Sequence, residues 1–317
     1  MKIVVLDGFT LNPGDLSWHE LSELAPCQVH DHTLADDVVS RCQAAEIILT
    51  NKTSITADIL KQLPDIKYIG VLATGTNVVD LAYAKLRGII VTNVPAYGPD
   101  AVAQMVFAHI LHHTQQVALH DKAVKQGLWA GQRDFCFTLS PLMSLKGKVL
   151  GLIGFGDIAQ HVAQIGLAFG MKVLVHTPKA KAGLAQGIAW CELAVLLPKA
   201  QFLSLHCPLT EVTHHMIDAS TLAKLPSNAL IINTARGDLI NEQDLADWLN
   251  QDKGFAAVDV LSSEPPQIGN PLLSAKNITI TPHIAWATKE ARQNLMNIAV
   301  NNCRQFMLGE PVNVVSS

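Results

Sequence analysis

The sequence predicts an α/β protein of two parallel-sheet domains, and three observations carry that prediction. Short apolar, β-branched runs alternate with stretches of helical spacing along most of the chain. Such alternation specifies βαβ units, with helices on both faces of a parallel sheet. A breaker cluster, Pro95-Ala96-Tyr97-Gly98-Pro99, interrupts the alternation once, and the pattern restarts beyond it. The chain has 317 residues, more than the roughly 250–300 at which one hydrophobic core stops growing.

In the first unit the strands are read at Ile3 to Leu6, Ile47 to Thr50, Tyr68 to Leu72 and Ile89 to Thr92. Helical spacing lies between them at Thr56 to Leu63 and Val79 to Arg87. After the breakers an uninterrupted helical pattern runs from about Asp100 to Lys125, followed by a loop from Trp129 to Pro141. The second unit places strands at Val149 to Ile153, Lys172 to Val175, Phe202 to His206, Ala229 to Asn233, Gly254 to Val258 and Ile278 to Thr281. A final helix is expected over Thr288 to Leu308.

Composition narrows the function. Hydrophobic residues are 49% and charged residues 16%, enough to fill two cores and incompatible with disorder. The net charge is −4 with no basic tract, so a nucleic-acid partner is not expected. Asp7 interrupts the first apolar run too early for a signal peptide, and no run approaches the roughly 20 residues of a membrane helix. A cytoplasmic protein with no membrane partner is expected. Six cysteines (27, 42, 136, 191, 207 and 303) form no CxxC pair and read as reduced thiols. Among thirteen histidines, the His109/His113 and His30/His32 pairs lack further ligands at recognisable spacing, so no metal is expected.

The most informative stretch is Val149-Leu150-Gly151-Leu152-Ile153-Gly154-Phe155-Gly156-Asp157-Ile158-Ala159, an apolar strand running into a Gly-x-Gly-x-x-Ala turn that opens a helix. The first glycine permits the tight turn, the second lets backbone approach a pyrophosphate, and the small third residue lets helix and strand pack. Free N–H groups at the helix start face the phosphates. At the next strand end, Val175-His176-Thr177-Pro178-Lys179-Ala180-Lys181 has no acid to accept from ribose hydroxyls. A hydroxyl and nearby lysines tolerate a 2′-phosphate where a carboxylate repels it, so NAD(H) or NADP(H) is expected, with the balance toward NADP(H).

Three later strand ends deliver chemistry. Arg236 follows Ile232-Asn233-Thr234-Ala235, Glu264 lies in Asp259-Val260-Leu261-Ser262-Ser263-Glu264-Pro265, and His283 follows Thr281-Pro282. Loops beyond the carboxyl ends of parallel strands are where α/β proteins bind ligands. Arginine grips a planar carboxylate, histidine exchanges a proton near neutral pH, and a carboxylate beside it orients the ring.

With these motifs the chain resembles the NAD(P)-dependent D-2-hydroxyacid dehydrogenases, within them most the glycerate dehydrogenase (hydroxypyruvate reductase) branch. The resemblance covers nearly the whole chain and includes Val71-Leu72-Ala73-Thr74-Gly75-Thr76-Asn77-Val78-Val79-Asp80, Asn93-Val94-Pro95-Ala96-Tyr97-Gly98, His206-Cys207-Pro208-Leu209-Thr210 and His283-Ile284-Ala285-Trp286-Ala287. It implies two Rossmann-like doubly wound domains with an interdomain cleft: a flavodoxin-like substrate domain (1–98 with 288–317) and an NAD(P)-binding domain (99–287). It also implies that the terminal helix joins the first domain, and that the long helix after Asp100 and the Trp129 loop mediate a homodimer.

Carried over, His283 is the general acid, Glu264 its partner, and Arg236 the grip on a small 2-keto or 2-hydroxy acid, with Thr74 and Gly75 amides completing the carboxylate site. Cofactor contacts fall to Gly154, Gly156, Asp157, Ile158, Thr177, Cys207, Pro208, Thr213, Thr234, Ala235 and Asp259. Asp259 meets the nicotinamide carboxamide. Two departures stand out: Ala159 replaces the third glycine, and Thr177 replaces the usual acid. Two other readings share the frame, a nucleotide-sensing corepressor-like protein and a formate- or phosphonate-oxidising dehydrogenase. A corepressor needs docking tails, and the chain ends soon after Leu308 with no low-complexity extension.

Overall fold

A computed structural model describes residues 1–315 of the protein. The chain divides into two compact units, one of Met1–Gly98 with the segment from Trp286 onward, the other of Pro99–Ala285.

The first unit holds a parallel sheet of β1 (Ile3–Val5), β2 (Cys27–Val29), β3 (Ile47–Thr50), β4 (Tyr68–Val71) and β5 (Ile90–Thr92), in spatial order β2-β1-β3-β4-β5. This is the flavodoxin-like doubly wound order, with its switch between β1 and β3. β1, β3 and β4 are buried throughout, which is why they read as unbroken apolar runs. One face is covered by Val38, Leu60, Leu63, Ala84 and their neighbours. The other face packs on the terminal helix Lys289–Met307, whose Leu295, Met296, Ala299, Val300 and Cys303 meet Ile3, Val5, Ile47, Leu49 and Tyr68. The start of that helix is anchored by Arg292, which donates to both Asp15 oxygens at 2.7 and 2.8 Å.

The second unit holds seven parallel strands: β6 (Val149–Ile153), β7 (Lys172–His176), β8 (Ile188–Trp190), β9 (Phe202–Leu205), β10 (Ala229–Asn233), β11 (Gly254–Val258) and β12 (Ile278–Ile280). Their order, β12-β11-β10-β9-β6-β7-β8, is the dinucleotide-binding arrangement with its switch point between β6 and β9. Helix Asp157–Ala168 and helix Pro99–Gln115 cover one face, and Leu196, Leu222, Leu245 and Leu249 cover the other.

The single helix expected over Asp100 to Lys125 is instead two, Pro99–Gln115 and Val117–Lys125, broken at Gln116 in the left-handed region (φ 49). No glycine or proline marks the break. The passing 143 segment makes it: Met143 donates its N–H to the Thr114 carbonyl, and Gln115 Nε2 donates to the Met143 carbonyl at 3.0 Å. Edge strands β2 and β8 were not expected either.

Among the described residues no helix is long and apolar enough to cross a membrane. All six cysteines are free thiols, and burial pushes Cys42 and Cys303 up to about 12, so these two stay protonated and inert.

Candidate active site

The glycine turn is shaped by contact on one side and openness on the other. Gly154 has φ +93, and a Cβ there would stand 2.4 Å from the His206 carbonyl oxygen, so only glycine fits. Its N–H donates to the His176 carbonyl at 2.9 Å and ties the turn to β7. A Cβ on Gly156 would meet nothing within 4 Å. The helix it opens has no side-chain cap, and the amides of Gly156, Asp157 and Ile158 find no acceptor among the described residues. Uncapped N–H groups at the positive end of a helix dipole suit a pyrophosphate. Ala159 is fully buried, and Ile158 is partly buried beside it, so the departure from a third glycine costs no packing.

At the end of β7, Thr177 donates its hydroxyl to the Lys179 carbonyl at 2.7 Å. Lys181 brings its ammonium within 3.3 Å of the Phe155 carbonyl and 5.7 Å above the Phe155 ring, which places a cation at the glycine turn. In the loop after β9, Thr213 donates to the Pro208 carbonyl at 2.7 Å, and Cys207 Sγ lies 3.6 Å from Met216 Sδ.

β10, β11 and β12 are neighbours, and each ends in one of the expected groups. After β10, buried Asn233 shapes the loop: its Nδ2 donates to the Arg236 carbonyl at 2.8 Å and its Oδ1 accepts from Ala235 N–H at 3.0 Å. Thr234 in this loop carries a buried hydroxyl with no hydrogen-bond partner among the described residues. A buried orphan hydroxyl is costly unless something binds it, and it fits a polar cofactor group. Arg236 is exposed, its Nη1 donating to the Ala235 carbonyl at 2.6 Å.

His283 follows β12 in a left-handed backbone conformation (φ 54), so its loop must be held from outside. Asp259, 1% exposed, does this. Its Oδ1 accepts from the Thr281 hydroxyl at 2.5 Å and from Ile284 N–H at 2.9 Å, its Oδ2 from Ala285 N–H at 2.8 Å, and its carbonyl from His283 N–H at 2.7 Å. Both carboxylate oxygens are therefore engaged in bracing the loop, a role the sequence does not show. Behind them His109 Nε2 lies 3.3 Å from the Thr281 hydroxyl, and burial lowers its pKa, favouring the neutral ring. Glu264 joins from the β11 side. Its Oε1 accepts from Leu261 N–H at 3.2 Å, and its Oε2 lies 2.6 Å from His283 Nδ1. With the two side chains 29% and 31% exposed, such a pair adds about 0–1 kcal/mol of stability, so its main effect is to orient the imidazole.

The structure thus pairs Glu264 with His283 and sets Asp259 behind the His283 loop, while Arg236 follows the neighbouring β10, on the same sheet as the glycine turn. Thr74 and Gly75 lie in the first unit, in the loop after β4. There the Thr74 hydroxyl donates to the Val94 carbonyl at 3.0 Å and Asn93 Nδ2 donates to the Thr74 carbonyl at 2.7 Å. Their two amides find no acceptor among the described residues. The sequence names His206, Thr281 and His109 but gives no sign of the contacts they make behind the site. His206 Nε2 lies 2.9 Å from the Ser204 hydroxyl, and desolvation pushes the ring down to about 4.

Strand order, open turn and imidazole–carboxylate pair together define a dinucleotide-dependent oxidoreductase, and comparison with known proteins gives the family. Residues 107–285 match the family model described as D-isomer specific 2-hydroxyacid dehydrogenase, NAD binding domain. A hydroxypyruvate reductase of Blautia hydrogenotrophica is 46% identical over 100% of both chains, and a glycerate dehydrogenase of Methylorubrum extorquens is 39% identical over 89% of each. A solved D-lactate dehydrogenase from Aquifex aeolicus, complexed with NAD and lactic acid, superposes with TM-score 0.85 at 27% identity, over 100% of this chain and 99% of that one. The chain belongs to the D-isomer specific 2-hydroxyacid dehydrogenase family, and it is an NAD(P)-dependent oxidoreductase acting on the CH–OH group of a hydroxy acid.

Proposed function

We propose that this chain is a hydroxypyruvate reductase, interconverting hydroxypyruvate and D-glycerate and also accepting glyoxylate. One observation carries the assignment of roles: the 2.6 Å pair of Glu264 and His283, at the end of the sheet edge that also bears Arg236. The nicotinamide supplies the hydride when bound. Because Glu264 takes Nδ1, His283 delivers its proton to the keto oxygen from Nε2, and Glu264 stabilises the imidazolium before transfer. Arg236 holds the substrate carboxylate with parallel hydrogen bonds, and the Thr74 and Gly75 amides, unengaged among the described residues, are further donors suited to a carboxylate. Gly154, Gly156, Asp157 and Ile158 take the pyrophosphate, with Cys207, Pro208, Thr213, Thr234 and Ala235 along the rest of the cofactor. Asp259 holds the His283 loop and would meet the nicotinamide carboxamide of a bound cofactor.

The proposal favours NADP(H). The end of β7 presents the Thr177 hydroxyl instead of a carboxylate that would repel a 2′-phosphate, and Lys179 and Lys181 follow in the same loop. It also takes the chain to be a homodimer, built on the Pro99–Gln115 and Val117–Lys125 helices and the loop beyond. These segments expose Val117 (70%), Trp129 (50%) and Phe135 (88%), apolar surface of the kind that marks an interface.

Steady-state assays with hydroxypyruvate, glyoxylate and pyruvate, each with NADH and NADPH, test this directly. Hydroxypyruvate with NADPH should give the highest kcat/KM. Consumption of none of the three acids overturns the substrate class, and a preference for NADH overturns the cofactor choice alone.

A further inference from the structure

A histidine pair outside the site just described has acquired an acid from another loop. His214 and His215 follow Thr213 in the loop after β9, and Asp238 lies in the short turn Gly237–Leu239 after β10. One potential ligand atom from each of the three lies within 4.8 Å of the other two. We propose that His214, His215 and Asp238 form a binding site for a borderline divalent transition-metal ion such as Zn2+.

The backbone holds the trio in place without help from the side chains. Ile217 and Ile240 form a parallel bridge, and both are buried. Around it Ile217 N–H donates to Leu239 at 3.0 Å, Asn241 N–H to Ile217 at 2.9 Å, and His215 N–H to Asp238 itself at 2.8 Å. His214 N–H is fixed in turn by the Thr210 carbonyl at 2.9 Å. The left-handed conformation of His215 (φ 52) stacks its ring against that of His214, with centroids 3.8 Å apart and planes inclined by 28°. A stacked pair of imidazoles beside a carboxylate gains little from its own packing at a partly exposed surface. It does present two nitrogens and an oxygen together on a rigid frame.

The chemistry of the donors selects the ion. Neutral imidazoles with one carboxylate suit Zn2+, Ni2+ or Cu2+, whereas Mg2+ and Ca2+ require nearly all-oxygen shells. Ligand atoms around a tetrahedral zinc with bonds of about 2.0–2.1 Å stand about 3.3 Å apart, so the site closes by side-chain rotations that unstack the two rings and turn their in-plane nitrogens toward the ion. Three protein ligands leave a fourth position for water. The two loops joined this way are those that carry Thr213 and Arg236, but binding itself does not depend on their proposed roles.

Titration of the untagged full-length chain with zinc chloride, followed by calorimetry, tests the proposal, with magnesium chloride as control. One zinc per chain should bind and magnesium should not. His214→Ala and Asp238→Asn should each weaken zinc binding at least about tenfold, while the far-ultraviolet spectrum and turnover in the absence of zinc stay as in the wild type. Absence of saturable zinc binding overturns the proposal. So does wild-type zinc affinity in either variant, which assigns the ion to other histidines such as His109, His112 and His113.

Discussion

At the end of β1 the chain turns through Asp7-Gly8, and at the end of β6 it turns through Gly154-Phe155-Gly156. Both turns stand at the switch point of a doubly wound parallel sheet, where such folds bind ligands. In the first unit the chain fills the position itself. Asp7 Oδ1 accepts from Asn51 N–H at 2.7 Å, and its Oδ2 accepts from Lys52 N–H at 2.6 Å, Thr53 N–H at 2.7 Å and the Thr53 hydroxyl at 3.0 Å. In the second unit no side chain caps the helix that follows, and its first amides find no acceptor among the described residues. The frame sets where an anion can sit, and the side chains decide whether the protein supplies the anion or leaves the place to a ligand.

Four substitutions or conditions would break or sharpen that contrast. The largest effect is expected of Gly154→Ala, which combines a positive φ with a backbone oxygen 2.4 Å from the new methyl. It should lower stability in urea unfolding by about 3 kcal/mol or more and abolish NADPH binding together with it.

Next comes acid. His206 is held at about 4 against an ordinary 6.5, so the folded state favours its neutral form. That stability is fully present above pH 6.5 and is lost as pH falls through 4, a change of up to about 3 kcal/mol. His206→Gln should flatten the decline in a pH series of urea midpoints, and an unchanged acid slope would assign the lability to other groups.

Asp7→Ala strands the amides that its carboxylate satisfies, and should cost about 1–3 kcal/mol with no change in NADPH affinity. Gly156→Ala should do the reverse. Open space surrounds its Cβ, so stability should stay within about 0.5 kcal/mol, while fluorescence titration shows NADPH binding about tenfold weaker. If the Asp7 variant loses cofactor and the Gly156 variant does not, the contrast between the two turns is wrong.

How much of this is legible in the sequence follows from the range of the forces involved. β6, β10 and β11 are five-residue strands buried on both faces, so they announce themselves as apolar runs. β2 and β8 are edge strands whose central residue is exposed, so they lack the continuous apolar run that makes the equally short β1 readable. The break at Gln116 has no local signal because a segment from beyond residue 140 imposes it. Arg236, Glu264 and His283 are readable because each follows a recognisable strand end in a motif. The braces behind them are not. Thr281 meets His109 across 172 positions of chain, and the His214–His215 pair gains Asp238 only when the loops after β9 and β10 lie side by side. Asp259 directly follows β11, and its two oxygens turn to the loop of His283 in a way that no spacing rule foretells.

The proposed chemistry depends most on the imidazole of His283, beyond the end of β12. The decisive measurement is kcat for hydroxypyruvate reduction by His283→Ala, taken beside its NADPH dissociation constant. Loss of a positioned general acid predicts a kcat lower by about 10³-fold with cofactor affinity unchanged. A variant that reduces hydroxypyruvate at the wild-type rate would contradict it.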